Sequence, residues 1–538
     1  MLTCRVWSGC AALLLGLGAA LATGQPAAPD PPKPPAKADS VAERLQTLEE
    51  QNKKLTEQVE KNEKEHAEQM RRLLERNGET PRQNNESTDR DRPAEEAAAG
   101  SAGESAAPST APGAATSPVP SYLDLDITSS RRLPLKSLSF GPGFQFQTED
   151  EAFRLQIHYE SQVEGRLWGE VDQIPANNGM YLPRQRIFFN GNITKPIEYE
   201  FAINRGLGNL NVLNAFINIH FDDAFELRFG RYFVPLLYEQ YAVSNYWLLT
   251  PERSLYSTNV GLNRQFGLMG WGYLFDKQLD YAAGVFNGTR NSFENLDKGV
   301  DFVGYLDFRP FQDTDSVRWL KHLNVGSSVA FGRQNAPPTP LGFRVGAGSP
   351  DTNTPGQATV PFLLLNNDVV ERGDRLQGSA HLAYFYGGLS LLGEWQYGYG
   401  TYATSSRPAA RVPLSGFYVA GGYFLTGEEV QQRTRVTPRR PLIPVREGET
   451  RGWGAWELAG RVSQLRVGEA IFTHQFADPA LWSNTATTTE VGLNWYWNDY
   501  VKFYLFWLHG QFGEPVQYRP GVAQKAVDMF WLRSQLYF

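Results

Sequence analysis

The chain has 538 residues with 51 basic and 58 acidic side chains, a net charge of −7, and two cysteines. That balance offers no basic surface to a nucleic acid. Cys4 and Cys10 both lie in the first ten residues, so nothing downstream can form a disulfide or a thiolate metal site. Aromatics reach 13% and there are 51 glycines. Beyond residue 25, however, no run of ~18 apolar residues occurs, which excludes a transmembrane helix there and points to a membrane barrel.

Residues 1–24 read as a signal peptide. Arg5 is the positive n-region, Ala11 to Leu21 the apolar stretch, and Ala20-Leu21-Ala22 or Ala22-Thr23-Gly24 a small-residue cleavage site. A membrane anchor is the alternative, but the stretch is short for a span. Residues 25–40 form a Pro/Ala-rich linker. Residues 41–76 carry heptads, with Leu45, Asn52, Val59, His66 and Leu73 at a and Val41, Leu48, Leu55, Asn62 and Gln69 at d. Leu45, Leu48, Asn52, Leu55, Val59 and Asn62 are the expected seam of a short periplasmic coiled coil, in which the two asparagines trade stability for register. A lone solvated charged helix is the other reading. Residues 77–139 are a disordered linker, too polar to offset the entropy of ordering.

From residue 140 to 538 the pattern has period two. Phe153, Leu155, Ile157 and Tyr159 alternate with Arg154, Gln156, His158 and Glu160. Leu213, Ala215, Ile217, Ile219 and Phe221 stand against Asn214, Asn218 and His220. Phe530, Leu532, Leu536 and Phe538 stand against Trp531, Arg533, Gln535 and Tyr537. About sixteen such segments begin near 153, 184, 196, 212, 224, 264, 279, 301, 322, 377, 389, 416, 453, 487, 500 and 528. The fold class is therefore all-β: a transmembrane antiparallel barrel of about 16 strands, since lipid permits no open sheet edge. A soluble β-sandwich also alternates, but such a strand count with this many aromatics suits a barrel better. Long connections near 334–375 and 427–452 are expected as outer loops. Phe538, closing an aromatic strand, is the expected barrel-assembly signal.

Several stretches carry a family likeness. These are Phe229-Gly230-Arg231-Tyr232-Phe233-Val234-Pro235 with Glu239, Pro251-Glu252-Arg253-Ser254, and Gly284-Val285-Phe286-Asn287-Gly288. Further along come Gly422-Tyr423-Phe424-Leu425-Thr426-Gly427-Glu428, Ala455-Trp456-Glu457-Leu458-Ala459-Gly460-Arg461 and Gly492-Leu493-Asn494-Trp495-Tyr496. Six in order over roughly three quarters of the chain resemble the phosphate-selective porin O/P family. The resemblance implies a sixteen-stranded barrel, a homotrimer, and a loop folded into the lumen.

Such a channel needs no catalytic group, metal or cofactor; it needs a polar lumen and a constriction. Alternation puts Arg154, Arg166, Arg184, Arg186, Arg228 and Glu226 on the non-lipid face as pore-lining candidates, with Glu160, Glu164, Glu198 and Glu200 beside them. Arginine suits an anion path because its charge is permanent and its planar fork pairs with oxyanions. The carboxylates would pair with it and cancel its field. Residues 234–262, interrupted by Pro235 and Pro251, make a poor strand and are expected to fold inward. Tyr238, Glu239, Tyr241, Tyr246, Trp247, Glu252 and Arg253 are the constriction candidates; an outer loop packing on a neighbouring subunit is the alternative. The stretch holds one basic residue, Arg253, against two glutamates, a departure from the basic constriction that the resemblance would bring. Arg433, Arg435, Arg439, Arg440 and Arg446 form a cluster placed to attract anions at the outer mouth, or to bind acidic surface polysaccharide.

The expected role is passive diffusion of small hydrophilic solutes and ions through the outer membrane of a Gram-negative-type cell, with an anion or phosphate preference. The N-terminal region would lie in the periplasm, and the partners would be lipid and solute. The alternative is a structural anchor, with the coiled coil reaching the cell wall. An outer-membrane lipase would need a Ser and His projecting together, and no such constellation is found.

Overall fold

The computed structural model describes residues 143–538, apart from 149–151, 170–172, 206–209 and 349. The expected signal peptide, coiled-coil seam and linkers therefore lie outside the described residues.

Sixteen strands close into one antiparallel barrel: β2 Arg154–Trp168, β3 Gly179–Thr194, β4 Ile197–Arg205, β5 Leu210–Asp222, β6 Phe225–Phe233, β7 Arg264–Leu274, β8 Leu279–Phe286, β9 Asp301–Phe308, β10 His322–Ala336, β13 Val370–Tyr386, β14 Leu389–Ala403, β15 Ala410–Phe424, β16 Ala455–Val467, β17 Thr485–Tyr496, β18 Val501–Arg519 and β19 Val522–Tyr537. Closure is between β19 and β2, with Met529 opposite Trp168 and Tyr537 opposite Glu160. The backbones of Tyr159 and Phe538 continue it with a hydrogen bond in each direction. Every strand expected from the sequence is present. Three short ones were not foreseen: β1 Phe144–Gln147, which pairs with β2, and the hairpin of β11 Gly342–Val345 and β12 Val360–Leu364.

The alternation is inside out relative to a soluble protein. On β2, Arg154, Gln156, His158, Glu160, Gln162, Glu164 and Arg166 are buried, while Leu167 is 60% exposed. On β19, Trp531, Arg533, Gln535 and Tyr537 point in, while Phe530 and Leu532 are more than half exposed. An apolar outer face with a polar inner one is the stable arrangement when lipid is the solvent. One residue departs from the expected alternation. Leu213 is buried beside Asn214, because the pairing of β5 with β4 slips between Ala202 and Ile203. The irregularity turns Leu213 inward, into a cluster with Phe188, Tyr246, Trp247 and Tyr537.

Strand parity sorts the connections between the two ends. Connections 234–263, 287–300 and 337–369 leave the end far from Phe538. The tight turns 195–196, 223–224 and 387–388 lie at the terminal end, with Phe538. Connection 425–454 joins β15 to β16 and so belongs to that terminal end as well. Its Leu442 N–H donates to Trp497 O and its Val430 N–H to Gly387 O, both 2.7 Å. The arginine cluster at 433–446 is therefore not at the mouth formed by the long far-end connections, where the sequence pattern puts it. Loop length suggests an outer loop, but antiparallel order fixes the opposite end.

Candidate pore and constriction

The connection from Val234 to Asn263 fills the barrel interior and is buried throughout. It follows β6, within which Gly230 has φ +127 and a Cβ would meet Ala215 O at 2.2 Å. Only glycine accepts both demands. Pro235 and Pro251 supply no N–H for a ladder, so the chain folds into helix α1 Tyr238–Tyr241, a 3-10 turn Asn245–Trp247 and helix α2 Leu255–Asn259. The second helix starts at Ser254, whose side chain accepts from Ser257 N–H at 3.4 Å.

This inward segment is tied by charge to one continuous arc of wall, from β16 through the closure to β3. At one end of the arc, Arg184 of β3 donates both terminal nitrogens to Glu252, each at 2.7 Å. Arg533 of β19 reaches Glu252 Oε1 at 2.7 Å while also holding Glu164. Arg186 pairs with Glu160 at 3.3 Å, and Asn245 donates to the same carboxylate. Further along the same arc, Arg461 of β16 bridges Glu239 of the segment and Glu490 of β17, both at 2.8 Å. Lys502 donates to Leu248 O and Asn494 to Leu249 O, each at 2.9 Å. Arg253 turns back into its own loop, donating to Glu239 O and Val243 O.

The aromatic candidates pack as firmly. Tyr246 stacks on Tyr537 with ring centres 3.9 Å apart, Tyr238 on His381 at 4.4 Å, and Tyr241 meets Tyr305 edge-on. Glu394 of β14 accepts from the N–H groups of Tyr238 and Glu239. Such bidentate and charge-assisted bonds are the strong ones in a low-dielectric interior.

The remaining wall candidates also face inward. Arg166 bonds Glu164 and the carbonyls of Gly346 and Ala358, and lies 4.2 Å over Trp531. Arg228 sits over Phe216 and Trp271. Glu226 accepts from Asn218 and lies 3.4 Å from His220. Arg154 is buried at the first residue of β2.

Sequence reasoning missed Asp351. It sits in connection 337–369, which also bends inward, and its Oδ2 takes Arg186 at 2.6 Å and Arg264 at 2.7 Å. No periodicity marks an acid in a Gly/Pro-rich loop, so nothing in the sequence singled it out. Burial alone would raise the Asp351 carboxyl, but Arg186 and Arg264 hold it well below its ordinary range. Glu252 behaves alike: burial opposes ionisation, yet Arg184 and Arg533 bring its carboxyl down to about 2.

Arg433 rises from the terminal-end connection into the interior. It grips Glu457 of β16 at 2.6 Å and donates to Trp247 O at 2.9 Å, so two connections from opposite ends meet there. Arg435 and Arg446 share Asp499, and Arg439 is exposed beside Glu429.

The model of the family described as phosphate-selective porin O and P matches residues 153–527. Porin O of Pseudomonas aeruginosa is 24% identical over 415 residues, covering 67% of this chain and 83% of the relative. Among solved structures, OmpT of Vibrio cholerae aligns with a TM-score of 0.43 at 11% identity, over 73% of this chain and all of the other. The anion-selective porin from Comamonas acidovorans aligns at 0.41 and 9% identity, over 71% of this chain and 99% of its own.

Proposed function

The chain belongs to the phosphate-selective porin O and P family, and from that premise we propose that it carries small hydrophilic solutes and ions across the outer membrane by passive diffusion, with a mild preference for anions. It is a channel and not an enzyme. The observation that carries this reading is the inverted barrel: lipid-facing apolar residues outside, a charged interior, and an inward segment tied to the wall by ion pairs.

The preference is mild because the interior is nearly balanced. Arg184, Arg186, Arg461 and Arg533 each lie against a carboxylate. Buried aspartates and glutamates slightly outnumber buried arginines and lysines among the described residues, so the anion preference rests on the family likeness and not on the net charge of the wall. Paired charges give little net field at a distance. In this reading Arg154, Arg166, Arg184, Arg186, Arg228 and Glu226 support the wall, and Tyr238, Glu239, Tyr246, Glu252 and Arg253 shape the constriction. The terminal end faces the periplasm, Phe538 is the assembly signal, and the family likeness supports a homotrimer.

The test is the reversal potential of single channels across a KCl gradient, followed by added phosphate. A small potential favouring chloride, with little block by phosphate, is expected. A potential favouring potassium would overturn the anion preference, and deep phosphate block would overturn its mildness.

A further inference from the structure

Ion pairs hold the charged walls, while uncharged polar groups without partners collect along one seam of the interior. Between α2 and the wall of β13, β14 and β15 lies a cavity of about 30 Å³, lined by Asn259, Arg290, Glu371, Gln377, Tyr399 and Tyr402 among others. That is room for roughly two waters. Gln377 is 8% exposed. Its Nε2 makes a long 3.5 Å bond to Val260 O, and its Oε1 has no partner.

Deeper along the same wall, Gln396 of β14 is fully buried with neither amide atom bonded. Ser257 Oγ and Tyr256 OH on α2 are likewise unbonded. These groups share one seam. Gln396 lies opposite Gly416 in the ladder, and a Cβ on Gly416 would meet the Tyr256 ring at 2.9 Å, so the glycine lets the helix approach there. A buried amide or hydroxyl without a partner forfeits the hydrogen bonds it would make in water. Several along one seam are stable only if water or a hydroxylated solute completes them.

At the cavity the charges balance, and further along the carboxylate of Glu394 accepts from the N–H groups of Tyr238 and Glu239. Arg375 is held by Asp301 and lies 3.9 Å from Glu371. Arg290 spends Nε and one terminal nitrogen on the carbonyls of Gly261 and Thr258.

Resting on the channel reading above, we propose that solutes pass the narrowest stretch along this seam, between α2 and the Gln377–Gln396 wall. The path suits small uncharged hydroxylated solutes, which exchange hydrogen bonds with the two glutamines, Ser257 and Tyr256 in place of water. The arginine wall at Arg184 and Arg186 then serves as scaffold for the inward segment.

Residues 140–538 contain no cysteine, so single cysteines report cleanly. Gln396→Cys, and Gln162→Cys on β2 as the arginine-wall control, are purified as folded, heat-modifiable protein. Each is exposed in planar bilayers to a trimethylammonium methanethiosulfonate. Labelling of the Gln396→Cys channel should at least halve the conductance and slow arabinose entry into proteoliposomes by a similar factor, while labelling of the Gln162→Cys channel changes neither. Current that ignores the reagent in the Gln396→Cys channel, or falls equally in the Gln162→Cys control, overturns the path. Arabinose entry unchanged while current falls overturns the solute assignment. Should Gln396→Cys fail to assemble, Ser257→Cys across the seam is read by the same criteria. A wild-type protein that does not conduct would instead refute the channel reading itself.

Discussion

Glu252→Gln tests how the inward segment is held. The carboxylate is buried and takes three charged hydrogen bonds at 2.7 Å, two from Arg184 and one from Arg533. Glutamine keeps the shape but removes the charge, leaving two buried guanidiniums short of a partner. Removing one member of a buried ion pair costs about 3–5 kcal/mol. Arg533 keeps Glu164, which places the expected loss at the lower end of that range. The tethers at Glu239, Leu248 and Leu249 survive, so the barrel stays folded. What loosens is the stretch around Pro251 and Arg253. At about 1.4 kcal/mol per decade, a loss of ~3 kcal/mol raises local opening about a hundredfold. Single-channel recording should show greater open-channel noise and a higher mean conductance, with unchanged gel mobility of the folded form. In the Arg184→Leu/Glu252→Leu double variant no charge is orphaned between those two, so the channel should be quieter than either single variant. A Glu252→Gln channel as quiet as wild type, or a double variant no better than the singles, would refute the reasoning.

Acid should act at the same place. Because the Glu252 carboxyl is held at about 2 against an ordinary 4.5, its stabilisation is complete above pH 4.5 and is lost only as the pH falls through about 2. The difference in channel noise between Glu252→Gln and wild type should therefore stay constant from pH 7 to 4.5; a change in that difference within the interval would contradict the assignment. Arg433→Ala should free connection 425–454 from Glu457 and Trp247 O, and trypsin should then cut after Arg439 in membrane fragments several times faster than in wild type. In intact cells a cysteine at Arg439 should resist an impermeant maleimide, whereas one at Glu294 in connection 287–300 should label; the reverse would invert the barrel in the membrane. Leu505→Arg puts a cation on the lipid face, where Leu505 is 56% exposed, and should cost about 2–4 kcal/mol, read as a lower yield of folded protein in vesicles.

Period two told most of the fold, because a barrel wall has one lipid face and one polar face and each residue must choose between them. The starts of β2, β8, β9, β10 and β14 were legible to within a residue. The pattern failed where another rule won. The pairing irregularity at Leu213 turned an apolar residue inward, and the interior hairpin β11–β12 is too short to show a period. The inward fold of 234–262 was legible from its prolines and aromatics, and Arg184 and Arg186 from alternation. Their partners were not. Glu252 meets Arg184 and Asp351 meets Arg186 across 68 and 165 positions, which only closure of the barrel brings together. The end of the barrel that carries Arg433 and its neighbours followed from counting strands, which loop length alone could not replace.

Channel formation is decided by adding the purified, folded protein to a planar lipid bilayer in KCl and comparing it with the same sample heat-unfolded. Discrete, uniform conductance steps are expected from the folded protein and none after heating. A silent bilayer, with folded protein shown to be inserted, would contradict channel formation.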